Sequence, residues 1–199
     1  MTPQGDNIMI ILSSPSGVGK TTITKKLEQK YKNLKISISH TTRSPRSNEI
    51  DGLDYNFISK KKFEELIYKE KFYEYAKIFE NYYGTLKKKV DEITKNYDIL
   101  FDIDWQGTKQ LSKFKNLKLI KIFLITDSKE ELKKRLLKRD QNTKEEVEKR
   151  FNSFDEDVKH WKDYDYILIN KNLEVCFKQI EQILHNHKKK VLNFFQKVQ

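Results

Sequence analysis

A strand, a Gly-rich loop and a helix follow one another directly near the start of the chain, and together they constrain the fold more than any other stretch. The apolar run from Ile8 to Leu12 predicts a buried strand, and apolar residues at four-residue spacing predict a helix from about Thr21 to Lys30. Between them lies SSPSGVGKTT, which nearly matches the phosphate-binding pattern G-x-x-x-x-G-K-[ST]. Because the pattern stands in the strand–loop–helix context that it requires, we expect a working phosphate cradle.

The chemistry of this loop comes from its backbone and from two side chains. Backbone N–H groups in such a turn point inward at phosphate oxygens, and the N-terminus of the following helix adds the positive end of its dipole. We expect Lys20 to reach the β- and γ-phosphates of a nucleotide and Thr21 to ligate Mg²⁺. The residues of the predicted loop are Ser14, Pro15, Ser16, Gly17, Val18, Gly19, Lys20, Thr21 and Thr22.

Ser14 stands where the pattern has its first glycine. If position 14 requires a left-handed backbone, a serine there costs roughly 1–2 kcal/mol. If the residue keeps the extended geometry of a strand end, the cost is small. The sequence leaves both outcomes open, and we expect the serine to be tolerated.

Strands and helices alternate along most of the remaining chain. Core strands are predicted near residues 8–13, 34–39, 98–104, 117–125 and 165–170. The alternation is typical of an α/β fold, and we expect a three-layer arrangement with a five-stranded, mainly parallel sheet. The segment 40–96 breaks this rhythm and is predicted to be an insertion between core strands.

Two acids end the predicted strand YDILFDID, at Asp102 and Asp104. Open α/β sheets bind ligands outside the carboxyl ends of their strands, so both acids are candidate site residues. We expect Asp102 to support the same Mg²⁺ as Thr21. The alternative for these acids is helix capping.

Composition limits the classes of partner. The net charge is +11, but the lysines are scattered in ones to threes, which favours a solvated surface on a protein that handles anionic small molecules over a nucleic-acid or membrane-binding protein. The single cysteine, Cys176, excludes a disulfide within the chain and favours a reducing, cytoplasmic setting. The longest apolar run is too short to span a membrane, and MTPQGDN has no basic region typical of a signal peptide.

The basic residues are unevenly divided, with 35 lysines and only five arginines. Arginine offers a rigid bidentate fork to phosphate, whereas lysine is a point charge. The arginines are therefore predicted to mark positions where lysine cannot substitute; the alternative is that some of them form structural ion pairs. The five are Arg43, Arg46, Arg135, Arg139 and Arg150.

Three further stretches make the chain resemble the guanylate kinases. They are SHTTRSPRSNEIDGLDYNFIS (39–59), EYAKIFENYYGT (74–85) and DIDWQG (102–107), and they occur in the order found in that family. The pattern TTR-x-PR followed by G-x-DY-x-F is far more specific than the phosphate loop alone. The resemblance extends from Ile8 to about Leu184.

The resemblance implies a GMP site in which Glu74 accepts hydrogen bonds from guanine N1–H and the 2-amino group. Adenine offers no such pair of donors, and a site with unpaired buried polar groups rejects the wrong base strongly. The implied phosphate ligands of GMP are Arg43, Arg46, Tyr55 and Tyr83, and the guanine pocket is completed by Ser39, Thr85 and Asp104.

On the ATP side the resemblance implies that lid arginines close over the nucleotide held by the loop. Arg135 and Arg139 lie four residues apart on one helix face, Arg150 follows on the next helix, and Asn170 matches a position near the adenine. The implied catalytic residues are Lys20, Arg43, Arg135, Arg139 and Arg150.

The implied activity is transfer of the γ-phosphoryl group of Mg-ATP to GMP, giving ADP and GDP, in purine nucleotide metabolism and GMP recycling. The chain is then a single domain, 1–199. Its expected parts are a core (1–38, 97–134 and 159–199), a GMP-binding subdomain (39–96) and a lid (135–158).

Other functions stay open at this point. A related kinase of a ribose phosphate would not need Glu74 with Thr85 as a base-recognising pair. A guanylate-kinase-like scaffold that binds proteins would not need Lys20 or the lid arginines, all of which are present here. Nucleic-acid binding as the main role is the remaining alternative, and the kinase itself could form a homo-oligomer.

Overall fold

The structure, a computed structural model, describes residues 7–138 and 143–196. Its strands are β1 (Met9–Ser13), β2 (Leu34–Ile36), β3 (His40–Thr41), β4 (Asn56–Phe57), β5 (Phe72–Ile78), β6 (Asn81–Leu86), β7 (Asp98–Asp102), β8 (Leu119–Ile125) and β9 (Tyr166–Ile169). Its helices are α1 (Lys20–Lys30), α2 (Lys60–Tyr68), α3 (Lys87–Ile93), α4 (Trp105–Leu111), α5 (Lys129–Leu137), α6 (Lys144–Lys159) and α7 (Leu173–Gln196), with a 3₁₀ turn at His160–Asp163.

Five strands form the central sheet in the order β2-β7-β1-β8-β9, and every neighbouring pair is parallel. Side chains of β1, the middle strand, alternate between two faces. Ile10 and Leu12 join a core cluster with residues of α1, α5, α6 and α7, whereas Met9 and Ile11 pack with residues of α3 and α4. A parallel sheet is buried on both faces by its crossover helices. The predicted three-layer α/β fold with a five-stranded sheet is therefore confirmed.

A second sheet, in the order β4-β3-β6-β5, is built from the chain between β2 and β7. Strands β5 and β6 form an antiparallel hairpin in which Glu74 lies opposite Thr85. Phe63 of α2 stacks on Phe72 and Tyr82 of this hairpin, at centroid distances of 4.6 and 5.3 Å. This small aromatic core fixes the hairpin, and the whole sheet lies within the stretch predicted as an insertion.

Helix α4 has no counterpart in the sequence predictions. It begins where it does because Asp104 Oδ1 accepts a hydrogen bond from Gly107 N at 2.9 Å and so caps the helix. The predicted strand 98–104 consequently ends at Asp102. The predicted strand 34–39 ends at Ile36, because the chain then crosses to the second sheet, which it enters at His40.

The lysines lie largely on helix surfaces, where many pair with acids. Glu65 of α2, for example, contacts Lys62 at 3.0 Å and Lys69 at 2.6 Å. Such exposed pairs contribute little to stability. Within the described ranges, no helix combines the length and the apolar character that a membrane crossing requires.

Candidate active site

The Gly-rich loop joins β1 to α1 at the carboxyl end of the central sheet. Gly17 and Gly19 have φ values of 90° and 101°, in the left-handed region that favours glycine. Among the described residues other than glycine, only Glu70 and Phe79 have positive φ, so Ser14 is not in that region. The backbone strain considered for Ser14 is therefore absent, and the missing first glycine leaves the loop backbone intact.

Asn170, which directly follows β9, fastens this loop to the core. It is 3% exposed, and its Nδ2 donates a hydrogen bond of 2.7 Å to Val18 O. A Cβ added at Gly19 would lie 2.7 Å from the same Nδ2. Position 19 thus needs glycine for space as well as for its backbone angle. Asn170 positions the loop here, and its predicted place near the adenine stays a prediction.

Lys20 and Asp102 meet at the base of the loop. Strands β1 and β7 are neighbours with Leu12 opposite Asp102, which brings the acid beneath the start of α1. Lys20 Nζ lies 2.6 Å from Asp102 Oδ1 and donates to Ile103 O at 3.1 Å. Thr24 Oγ1 donates to Asp102 Oδ2 at 3.5 Å. The lysine and the acid predicted from separate motifs therefore form one charged pair.

Two of the predicted lid arginines also reach the loop. Arg135 Nη1 donates to Val18 O at 3.3 Å, from the last turn of α5. Arg150 Nη1 donates to Ser16 Oγ at 3.0 Å, from α6. Arg139 lies outside the described residues. The predicted lid boundary at residue 135 falls inside α5, which begins at Lys129.

A second cluster of cationic and phenolic groups forms where the second sheet begins. Arg43 donates two hydrogen bonds of 2.9 Å to the Glu49 carboxylate and one of 3.3 Å from Nε to Tyr83 Oη. The Arg43 guanidinium also lies over the Tyr55 ring, at 5.4 Å. Arg46 donates its backbone N–H to Glu49 at 2.8 Å, and its Nη1 lies 3.5 Å from the same carboxylate. The two predicted arginines thus meet at Glu49, and the two predicted tyrosines contact Arg43.

Glu49 is the functional residue that the sequence predictions missed. Burial opposes ionisation of both partners, but their hydrogen bonds raise the pKa of Arg43 and lower the pKa of Glu49. The pair is consequently charged, and Glu49 supplies the anion that the two arginines face. The sequence signal for this contact was an acid three residues after Arg46, because a β-turn brings residue i+3 close to residue i.

A third group of predicted residues surrounds Glu74 in the hairpin. Glu74 is 3% exposed, and Thr85, which lies opposite it in the hairpin, is 1% exposed. Ser39 is also buried and directly precedes β3. The Thr85 side chain is close enough to Glu74 to lower the pKa of its carboxyl group, but among the described residues neither Glu74 Oε1 nor Thr85 Oγ1 has a partner in hydrogen-bond geometry. Buried polar atoms are normally paired, so two such atoms on neighbouring strands indicate a site completed by a ligand.

The charge of Glu74 is tuned by its surroundings. Burial raises its pKa to about 7, and the negative charge of Asp104 acts in the same direction, against Thr85 and Lys20. A carboxyl group with this pKa is at the point of ionisation near neutral pH. Perturbed acids of this kind concentrate in functional sites.

Helix α4 forms the wall behind this carboxylate. A Cβ at Gly107 would lie 2.5 Å from Glu74 Oε2, so glycine is needed for space. Asp104 Oδ1 holds Gly107 N, and Asp104 Oδ2 accepts from Gln106 Nε2 at 3.1 Å. The helix-capping alternative is therefore what Asp104 does here, while Asp102 pairs with Lys20.

The phosphate loop and the second cluster lie within electrostatic reach of each other. Burial, and after it the charge of Asp102, raise the pKa of Tyr55, and the charge of Lys20 acts on Glu74. A parallel sheet, a Gly-Lys-Thr loop leading into a helix and an acid on the neighbouring strand define the class of P-loop nucleotide-binding proteins. The buried Glu74 carboxylate lies within electrostatic reach of Lys20 in this loop.

Comparison with known proteins narrows this class to one family. The family model for guanylate kinase matches residues 7–187. A guanylate kinase of Paramagnetospirillum magneticum is 43% identical over 178 residues, which is 89% of this chain and 83% of that protein. A guanylate kinase of Clostridioides difficile is 43% identical over 188 residues, 94% of this chain and 91% of that protein. The chain belongs to the guanylate kinase family.

Comparison with solved structures agrees. The crystal structure of guanylate kinase from Anaplasma phagocytophilum superposes with a TM-score of 0.76 at 30% sequence identity. The match covers 92% of this chain and 86% of that one. The family and the fold class predicted from the sequence are thereby confirmed.

Proposed function

We propose that this chain transfers the γ-phosphoryl group of Mg-ATP to GMP, giving ADP and GDP. The observation that carries the choice of GMP is the pair of buried, unpartnered oxygens on Glu74 and Thr85. Guanine presents two adjacent donors, N1–H and the 2-amino group, to which a carboxylate is complementary. A base without this donor pair would leave the buried oxygens unpaired, which costs far more than a lost contact.

The phosphate of GMP would occupy the position that Glu49 now faces. Arg43 and Arg46 would supply the fork-shaped donors, and Tyr83, which accepts from Arg43 Nε, and Tyr55, whose ring lies against Arg43, would supply hydroxyls. A phosphate accepts bidentate hydrogen bonds from arginine as a carboxylate does. Glu49 then acts as the internal anion that keeps both arginines in place before GMP arrives.

ATP would bind with its phosphates in the loop of residues 14–22. The loop N–H groups and Lys20 hold the β- and γ-phosphates, while Arg135 and Arg150 approach from α5 and α6. Arg139 and Asn170 complete the proposed ATP site. The parts that move would be a GMP-binding subdomain of residues 39–96 and a lid of residues 135–158.

The residues present fit Mg²⁺ as the metal that accompanies ATP. Within the described residues, no cluster of three or more His, Cys, Asp or Glu side chains could hold a metal by itself. Mg²⁺ instead prefers one or two protein oxygens together with water and substrate phosphates. Thr21, exposed in the first turn of α1, and Asp102 offer such oxygens. The ion would neutralise charge on the transferring phosphates.

Catalysis would come from position and electrostatics, with no covalent enzyme intermediate. The bond between the γ-phosphorus and ADP breaks as a GMP phosphate oxygen bonds to the same phosphorus. The charge spread over the transferring oxygens is met by Lys20 and by the arginines of both sides. Closure of the two mobile parts would exclude water, which otherwise competes with GMP for ATP.

Coupled measurement of ADP formation from Mg-ATP tests this proposal. GMP, AMP, CMP, UMP and a ribose bisphosphate are offered in parallel, and turnover is expected with GMP. Turnover with the sugar phosphate alone would contradict the assignment of the base pocket. Binding of GMP without turnover would instead favour the scaffold alternative.

Replacing Arg43 by lysine should weaken the use of GMP although the charge is kept. Lysine cannot make the two parallel hydrogen bonds that hold Arg43 on Glu49, so it cannot keep a further donor directed at phosphate as arginine does. We expect kcat/KM for GMP to fall about tenfold or more, in line with one lost charge-assisted hydrogen bond. The KM for ATP is the internal control, because Arg43 does not contact the loop. Unchanged kinetics for GMP would show that lysine suffices at this position.

Replacing Gly107 by alanine should impair GMP recognition without touching a predicted ligand of GMP. The new Cβ would lie 2.5 Å from Glu74 Oε2, so the carboxylate must shift. We expect the KM for GMP to rise by roughly tenfold or more, since small displacements of a positioned group are costly. Lys109→Ala, at an exposed position of the same helix, is the matched control. Equal KM values in the two variants would mean that the pocket absorbs the methyl group.

A further inference from the structure

Trp105 and His160 stack face to face where α6 ends. Their ring centroids are 3.7 Å apart and their planes differ by 8°. Trp105 is the first residue of α4, and His160 opens the 3₁₀ turn that follows α6. Two flat rings at this distance are in full van der Waals contact. The stack is therefore a direct connection between the end of α6 and the start of α4.

His160 contributes to this contact through its ring face rather than through a hydrogen bond, whereas the Trp105 side chain also hydrogen-bonds to Asp157 of α6. Among the described residues, the buried His160 Nε2 has no hydrogen-bond partner, and the Glu156 carboxylate lies 3.8 Å from it. On the other side, His160 Nδ1 lies 3.9 Å from Asp163 Oδ2. Both contacts exceed hydrogen-bond distance. The ring is thus held chiefly by the indole face of Trp105.

The two helices joined by this stack carry opposite halves of the proposed active site. Helix α4 begins at Asp104 and backs the Glu74 carboxylate through Gly107, which has no room for a side chain. Helix α6 carries Arg150, whose Nη1 contacts Ser16 Oγ in the phosphate loop. A continuous series of contacts therefore runs from Glu74 through α4, the stacked rings and α6 to the phosphate loop.

Asp157 confirms how near this end of α6 comes to the base pocket. It lies in the last turn of α6, three residues before His160 of the following 3₁₀ turn. Burial, and after it the charge of Asp104, raise its pKa to about 6. The end of α6 therefore lies close to the acid that caps α4.

We infer that Trp105 and His160 are positioning residues that couple occupancy of the base pocket to the placement of Arg150 at the phosphate loop. The inference rests on the proposed function, since it takes GMP and ATP as the two ligands. A base bound against Glu74 fixes α4, and α4 fixes α6 through the stacked rings. Each ligand then strengthens the binding of the other by the same factor, because coupling between two sites is reciprocal.

The coupling factor is measured by calorimetry with the β,γ-imido analogue of ATP. Its Kd is determined without GMP and with saturating GMP, for the wild-type chain and for His160→Ala. We expect GMP to tighten the analogue at least about fivefold in the wild type. In His160→Ala the factor should fall to about one, while the Kd of the analogue alone changes little. A purely structural role would shift both Kd values together.

His160→Phe is the rescue variant, because phenylalanine keeps a flat ring over Trp105 and lacks the nitrogens. It should retain most of the coupling. Two results would overturn the inference. One is a coupling factor in His160→Ala that equals the wild-type factor. The other is a coupling factor in His160→Phe that is as low as in His160→Ala.

A spectroscopic measurement decides the matter even if His160→Ala fails to fold. Trp161 is 44% exposed, and Trp161→Phe leaves Trp105 as the single tryptophan. GMP should change the emission of Trp105 in this variant, and an emission that GMP does not alter would overturn the inference. Failure of the proposed function looks different, because the wild-type chain would then neither bind GMP nor form ADP with it.

Discussion

Replacing Lys20 by alanine is expected to abolish turnover while the protein stays folded. Lys20 Nζ lies at the base of the loop, 2.6 Å from Asp102, where it would meet the β- and γ-phosphates of ATP. Loss of one preorganised donor to the transition state lowers kcat by roughly 10²–10³-fold. Lys20 also carries a full charge, so we expect a reduction of at least this size. ADP formation under saturating Mg-ATP and GMP measures it.

The fold should survive this substitution because the Lys20–Asp102 pair is not deeply buried. Their side chains are 19% and 23% exposed, so water can solvate the acid once the lysine is gone. Lys88→Ala, in which the lysine is 86% exposed on α3, is the matched control and should keep full activity. Thermal unfolding of both variants separates lost chemistry from lost structure. Near-normal turnover by a folded Lys20→Ala protein would remove the loop from the mechanism.

The central fold was predictable because its strands are buried on both faces. A run such as Ile8 to Leu12 has no polar alternation, and only a sheet covered by helices on both sides accommodates it. The loop between β1 and α1 then follows from its glycines. Within the second sheet, the aromatic stretch 72–85 is β-prone in sequence and forms β5 and most of β6, whereas β3 and β4 were not predicted because they are two residues long and carry too little pattern.

The contacts that position the site were largely invisible in the sequence. Asn170 was proposed as an adenine neighbour, yet its contact is with Val18, 152 residues earlier in the chain. Gly107 stands in the recognised DIDWQG motif, but its need for space depends on Glu74 of another strand. Such requirements arise only when distant segments pack, so spacing along one segment cannot predict them.

The arginines illustrate how two interpretations of one residue type can both hold. Arg43 pairs with Glu49 at 2.9 Å, and Arg135 pairs with Glu131 at 2.8 Å, so structural ion pairs are present. The same residues face the proposed phosphate positions. A nearby carboxylate compensates the charge of such an arginine and fixes its orientation before the anionic substrate binds. Phosphate binding and structural ion pairing were alternatives from the sequence alone, because a sequence does not show that one arginine can serve both.

Replacing Glu74 by glutamine is expected to lower kcat/KM for GMP strongly, because it impairs recognition of the base. The glutamine amide keeps one acceptor oxygen, but its NH₂ group replaces the second acceptor with a donor. That donor would face a donor of guanine. Removing one partner of a buried charged hydrogen bond costs about 2–5 kcal/mol, so kcat/KM for GMP should fall by roughly a hundredfold or more. The KM for ATP should change little. Glu80→Gln, at an exposed position of the turn between β5 and β6, is the matched control.

The same substitution should make the empty protein more stable at alkaline pH. Because burial raises the pKa of Glu74 to about 7, above the ordinary 4.5, the folded state holds a proton there that the unfolded state has lost. The free energy of unfolding then decreases as pH rises from about 4.5 to 7, by roughly 3 kcal/mol for this group. Glutamine has no such proton to lose. The difference in unfolding free energy between Glu74→Gln and the wild type should therefore grow through this range and level off above it.

Binding of GMP should show the opposite pH dependence, because the ionised carboxylate is the form with two acceptors. Below pH 7 the site must release a proton to bind guanine, so Glu74 alone should raise the Kd of GMP toward tenfold for each unit of further acidification, and protonation of the GMP phosphate, with a second pKa of about 6, adds to this rise. Above about pH 8 it should be constant. Calorimetric titrations of GMP between pH 5 and 9, in buffers of different ionisation enthalpy, measure both the Kd and the released proton. A Kd that stays flat from pH 5 to 7, together with an unfolding free energy that the glutamine variant does not alter, would show that Glu74 is already ionised in the empty pocket and that its burial is offset by partners absent from the described contacts.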